Sequence, residues 1–377
     1  MTKREIPDLA LNGDEEITIE LGEDYDDPGT NVESAAVSGE VDTSSAGTYV
    51  IEYTYRDQKV TRTVYVTDPD RIVMGVRGSE TQLVKQGDPY IENGAFAIDK
   101  KSGAISPDDI KVSGEVDTST PGDYVVTYTA ATDDAASSIT RTVRVLTEED
   151  FGSNDNEVSV MMYGSVYTSS DIPAKLTGNW ILDTDFEEQL KYLSDRNYYY
   201  PGWKELRAWI DGKISLPDNS IAVTFDGGKK ALFQYGVPLL EKYRIPATIF
   251  LTCWEKNGAE GKIRKYASEY ASFESNSYAM HQGGHVSGYT GIVAEMSKSE
   301  IKEDLAKAYE VIRSNDAFSY PYGDVTTDAY EAVEEQGFSC AFTTYYGRVT
   351  PGMDPMKLPR VRVLGTESFE VWRQSVR

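Results

Sequence analysis

The chain has 377 residues, enough for two or three domains. Its 62 acidic and 37 basic side chains give a net charge of −25 and a pI near 4.5. That balance excludes the basic surface that nucleic acid, anionic membranes and anionic wall polymers require, and leaves a neutral or cationic polymer compatible. No apolar run approaches the roughly 20 residues of a membrane span.

The opening segment, MTKREIPDLALNG, lacks the apolar core of a signal peptide, which leaves a cytosolic protein or a mature secreted segment. An internal repeat follows. VSGEVDTSSAGTYVIEYTY begins at Val37 and VSGEVDTSTPGDYVVTYTA at Val112; TRTVYV begins at Thr61 and TRTVRV at Thr140. The offset grows from 75 to 79 residues, which places four extra residues in the hairpin around ATDDAASS. Alternation at Tyr49-Ile51-Tyr53 and Tyr124-Val126-Tyr128, with Gly47 and Gly122 as punctuation, predicts small antiparallel sandwiches. The G-x-Y-x-V/I-x-Y pattern after VDTS resembles bacterial surface immunoglobulin-like modules over residues 4–147. The resemblance implies a cell-surface or secreted setting, Gram-positive in origin, and a stalk or adhesive role without chemistry.

The stretch LTEEDFGSNDNE reads as a linker, giving expected domains over 1–69, 70–148 and 149–377. Beyond it, strand-like and helical runs alternate. VSVMMY, SIAVTF, ATIFLT and CAFTT read as strands. DTDFEEQLKYLSDR reads as a helix boxed by Thr184 and Glu187, and MSKSEIKEDLAKAYEVI as one boxed by Ser297 and Glu300. This β-α order predicts a parallel sheet closed as an α/β barrel. Cys253 and Cys340 lie in apolar runs and are expected as buried free thiols, although the sequence also allows a disulfide. NYYYPGW, with Tyr198, Tyr199, Tyr200 and Trp203, fits a strand entering a helix better than a sugar-stacking stripe.

SIAVTFDGGKKALFQYGVPLLEKYRIPATIFLT places Asp226 where a buried strand breaks into a glycine loop, the position at which barrels hold functional groups. With SYPYGD, GFSCAFTT and LPRVRV, this run resembles NodB-type polysaccharide deacetylases, carbohydrate esterase family 4, over residues 158–363. The resemblance implies a distorted (β/α) barrel and metal-dependent hydrolysis of acetamide carbon–nitrogen bonds on N-acetylated glycans such as N-acetylglucosamine polymers or peptidoglycan. It assigns a general base to Asp226 with Arg360 as its partner, and a substrate-binding rim to Tyr320, Pro321 and Tyr322.

Three departures from the family pattern bear on chemistry. The family's metal-binding acid falls at Gly227. The first of its two histidines falls at Asn276 in SNSYAMH, and only His281 is retained. Gly164 and Ser165 stand where histidines are expected near the start of the barrel. A catalytic zinc site needs three protein ligands and an open position, so no bound cofactor is expected. The implied reading is a degenerate, impaired family member that binds glycan. Two alternatives stay open. One is an active deacetylase holding zinc or another divalent ion through a rebuilt set of Asp226, His281 and His285. The other is a structural surface or assembly protein.

Overall fold

The computed structural model describes residues 8–133, 135–154, 157–254 and 258–376, so residues 1–7 of the opening segment lie outside the description. The two repeats form sheets of the same order. In the first, Glu16–Glu20, Gln58–Thr67, Gly47–Tyr55 and Ala36–Ser38 lie side by side; in the second, Thr81–Lys85, Ala135–Leu146, Gly122–Thr132 and Ile110–Ser113 do. Each sheet has one parallel pair at its edge where alternation alone predicts antiparallel strands. The second module adds a three-stranded sheet of Ile72–Val76, Ala95–Asp99 and Gly103–Ala104. The four extra residues lengthen the hairpin by two on each arm, from 9 and 10 residues to 11 and 12.

The repeated TRT motif has a core function in both modules. Arg62 and Arg141 are fully buried, each stacked over the tyrosine of its own sheet, Tyr53 and Tyr128. Arg62 pairs with Asp27 at 2.5 Å, and Arg141 faces Glu92 at 3.8 Å. Arg62 is bonded through all three of its nitrogens, whereas Arg141 donates through Nη1 to Tyr128 Oη at 3.3 Å and through Nη2 to Arg77 O at 2.5 Å, and its buried Nε has no partner among the described residues.

The third unit is a closed barrel of seven parallel strands: β1 (Ser159–Tyr163), β2 (Ile221–Asp226), β3 (Ala247–Leu251), β4 (Ala271–Ser275), β5 (Ala317–Ser319), β6 (Cys340–Tyr346) and β7 (Leu358–Arg362). β7 returns to β1 through Met161–Val361 and Met162–Arg362. Because helices cover the outside, these strands are apolar on both faces. Val158, Val160, Ala222, Phe250, Phe342 and Leu358 share one cluster with Trp203 and Tyr199, and the Trp203 indole donates to Thr248 Oγ1 at 3.1 Å. The core reading of NYYYPGW therefore holds for Tyr199, Tyr200 and Trp203, all buried. Both cysteines are buried free thiols. The Ser297–Glu300 capping box forms. Thr184 is not a cap, because its helix starts at Asp183.

The expected linker is partly structured: Glu148–Phe151 is helical, and Ser153–Asn154 pairs with Leu216–Pro217. The second module is packed on the barrel rather than spaced from it. A Cβ on Gly75 would lie 2.2 Å from Glu269 O, so only glycine permits that approach. Asn93 and Glu205 exchange hydrogen bonds of 2.9 and 3.1 Å across the junction. Arg77 reaches Glu274 at 2.5 Å and Asp316 at 3.1 Å, with its side chain 8% exposed and that of Glu274 fully buried. This contact closes a weak seam. β4 and β5 share a single residue pair, Ser275–Phe318. The Glu274 carboxylate supplies the missing acceptors, taking hydrogen bonds from Ala317 N at 3.1 Å and Ser314 Oγ at 2.7 Å.

Candidate functional site

Asp226 ends β2 at the C-terminal mouth of the barrel. Arg360, from β7, meets it in a two-pronged pair, Nη1 to Oδ1 and Nη2 to Oδ2, both 2.8 Å. Arg360 is fully buried and also donates to Thr343 O at 3.1 Å and Ser319 Oγ at 3.0 Å. A fork held on four sides fixes the carboxylate in one orientation.

The positions that the family resemblance assigns to metal differ in their surroundings. At Gly227 the backbone is left-handed, φ +88°, and a Cβ would meet nothing within 4 Å, so a side chain is missing but its space remains. Asn276 has been absorbed into the scaffold. Its Oδ1 accepts from Thr252 Oγ1 at 3.2 Å and its Nδ2 donates to Ser319 O at 2.8 Å, bridging β4 to β5 above Glu274. Gly164 and Ser165 leave no room for histidines: a Cβ on Gly164 would lie 2.4 Å from Asn179 O, and Ser165 is fully buried. His281 is at the cleft, its ring 4.4 Å from that of Tyr322. Partial burial holds its imidazole below the ordinary value, against the pull of Asp226. His285 does not join it. Its side chain is 92% exposed and pairs with Glu295 at 3.2 Å.

The donor set does not fit a divalent metal of the kind the family uses. Zinc favours imidazole, thiolate and carboxylate donors in threes. Here one imidazole faces one carboxylate already committed to Arg360, and Asn276 offers a carbonyl already bonded. Among the described residues no three His, Cys, Asp or Glu side chains converge.

The rim also differs from expectation. Tyr320 and Pro321 are buried; Tyr320 borders the cleft, but its ring packs against Phe318 at 5.0 Å. Tyr322 alone of that trio presents a ring, 38% exposed, on a left-handed backbone (φ +60°) that residues with a Cβ adopt rarely. Two aromatics missed in the sequence stand on the same mouth. Tyr345 and Tyr346, at the end of β6, are each 71% exposed, directly after Thr344 of the cleft wall. The signal was a Tyr-Tyr pair running past the apolar part of its strand. The cleft encloses about 260 Å³ between Met162, Gly164, Asn179, Asp226, His281 and Tyr322.

This fold and mouth define a NodB-type barrel behind immunoglobulin-like modules. Family comparison agrees: a bacterial surface protein Ig-like domain matches residues 9–66 and 74–145, and a polysaccharide deacetylase domain matches 213–341. The chain carries two bacterial surface immunoglobulin-like domains and a polysaccharide deacetylase-family barrel. A poly-beta-1,6-N-acetyl-D-glucosamine N-deacetylase of Staphylococcus epidermidis is 26% identical over 207 residues, covering 50% of this chain and 70% of that protein. Its Staphylococcus aureus counterpart is 23% identical over 205 residues, covering 50% and 69%. A solved polysaccharide deacetylase from Bacillus cereus aligns over 92% of this chain and all of its own, with 17% identity and a TM-score of 0.48. A Streptococcus pyogenes deacetylase solved with acetate aligns over 59% and 100%, with 19% identity and a TM-score of 0.48.

Proposed function

We propose that the barrel is a glycan-binding member of its family in which metal-dependent deacetylation is impaired, displayed at a bacterial surface by the immunoglobulin-like modules. The observation that carries this reading is Asn276: its amide is bonded at both ends, so the position serves the scaffold and not a metal. In the family's chemistry the metal supplies a Lewis acid and an activated water. Without it, Asp226 would face water of nearly bulk acidity, and deacetylation should fall by roughly a thousandfold or more. Recognition of N-acetylglucosamine polymers asks less: ring faces and a few placed donors. Tyr322 and Asn179 supply those in the cleft, Tyr345 and Tyr346 offer exposed rings just beyond its wall, and the two staphylococcal relatives are named for acting on such a polymer.

Two measurements test it. Zinc content after equilibration with the ion and dialysis should be far below one per chain; one ion per chain, released by His281→Ala, would restore the enzyme reading. A chitohexaose titration followed by tryptophan fluorescence or amide shifts should give a Kd between about 0.1 and 1 mM, equivalent to about 4–6 kcal/mol. Tyr322→Ala, and Tyr345→Ala with Tyr346→Ala, should each weaken binding about three- to tenfold through lost ring contact. No response at millimolar sugar would leave the structural-protein reading in its place.

A further inference from the structure

The charge of the cleft is opposite to that of the chain. Among its described lining residues the only carboxylate is Asp226, and Arg360 neutralises it in the two-pronged pair. Two further cations line the same cleft, Lys229 and Arg362, both exposed. Neither has a carboxylate partner among the described residues. Against 62 acidic side chains in the chain as a whole, two unpaired cations at one mouth make a local field of opposite sign.

Their placement is specific. β1 lies between β2 and β7, with Tyr163 opposite Phe225 and Met162 opposite Arg362. Lys229 follows the end of β2 and Arg362 ends β7, so the two cations flank the end of β1, where Gly164 has no side chain. Lys229 is held over the Trp180 ring at 4.4 Å, which orients its ammonium without neutralising it. Tyr322 and His281 follow β5 and β4, on the opposite arc of the barrel. The cleft therefore has one aromatic wall and one cationic wall across the Asp226–Arg360 floor.

We propose that the sugar chain bound here is acidic: a glycan carrying carboxylate groups, with one carboxylate set between Lys229 and Arg362 while a neighbouring N-acetylated ring lies on Tyr322. This rests on the glycan-binding reading above and narrows its ligand class. It also reverses, for this cleft, the exclusion of anionic polymers that net charge alone suggests. An Arg fork suits a planar carboxylate, and a Lys ammonium adds a point charge beside it.

The test compares two hexasaccharides on the whole chain: chitohexaose, which is neutral, and a hyaluronan hexasaccharide, which alternates N-acetylglucosamine with glucuronate. At 20 mM NaCl the acidic oligomer should bind at least tenfold more tightly, and most of that advantage should vanish at 300 mM NaCl, as expected of partly exposed charges. Lys229→Ala with Arg362→Ala should abolish the preference and leave chitohexaose affinity within twofold. If chitohexaose binds and the acidic oligomer binds no better, this proposal fails and the glycan-binding reading stands. If neither binds, both fail. A preference that survives the double substitution also overturns it, since the charge would then be read elsewhere.

Discussion

Gly227→Asp combined with Asn276→His is expected to raise zinc affinity by at least about a hundredfold, to one tightly held ion per chain, because the new carboxylate and imidazole would join His281 as a third donor. The structure says what this costs. At position 227 the space for a Cβ is open, but φ is +88°, so any side chain there strains the backbone by about 1–2 kcal/mol. At position 276 the substitution removes the bridge to Ser319 O and Thr252, and a buried carbonyl left without its donor costs about 1–3 kcal/mol. Both costs are small beside the binding free energy of a three-donor zinc site. Each single variant should show little uptake. Isothermal titration with zinc on protein of native circular dichroism decides the matter. A folded double variant that takes up no zinc would show that the loop bearing His281 has moved away from the other two positions, and the residue correspondence would be wrong.

The second large effect lies at the foot of the barrel. Arg77→Met should lower the unfolding free energy by about 3–5 kcal/mol at pH 8, since it leaves Glu274 and Asp316 without their shared cation in a buried seam. The loss should shrink as pH falls. Burial raises the Glu274 carboxyl to about 7, with Arg77 pulling it down and Asp316 pushing it up. Its unfolded value is near 4.3, so the folded state holds this proton more tightly. The contribution of Glu274 to stability therefore rises as pH falls from 8 through 7 towards 4.3, and removing Arg77 strengthens that trend. Chemical denaturation of parent and variant at pH 8 and pH 5.5 measures both the loss and its slope. Equal losses at the two pH values would mean that Glu274 does not titrate in the seam. A loss below about 1 kcal/mol at pH 8 would mean that the second module is only loosely docked. The variant with Glu274→Gln added separates the charge effect from the loss of packing by the long side chain.

The same seam explains why one expectation about the modules needed revision. Read along the chain, residues 146–157 look like a linker and the modules like a stalk. The second module instead contributes a side chain to the barrel, and the two partners, Arg77 and Glu274, lie 197 residues apart. No local pattern marks such a pair.

What the sequence by itself determined is whatever depends on residue identity or on short periodicity. The doubled VSGEVDTS and TRT motifs establish two like modules, the β-α order establishes the barrel, and the absence of a side chain at Gly227 or an imidazole at Asn276 needs no coordinates. Tertiary structure decided everything that depends on which way a side chain turns and what lies opposite. Tyr320 and Tyr322 are two residues apart, yet one turns into the core and the other faces the cleft, because the chain takes a left-handed step at Tyr322. Asn276 reads as a vacancy in sequence and proves to be a bridge, since the weakly paired strands β4 and β5 put Ser319 O within its reach. The charge of −25 is a sum over the whole surface, whereas a ligand responds to the few charges near it. Only barrel closure, which brings β7 back beside β1, sets Arg362 and Lys229 at one mouth.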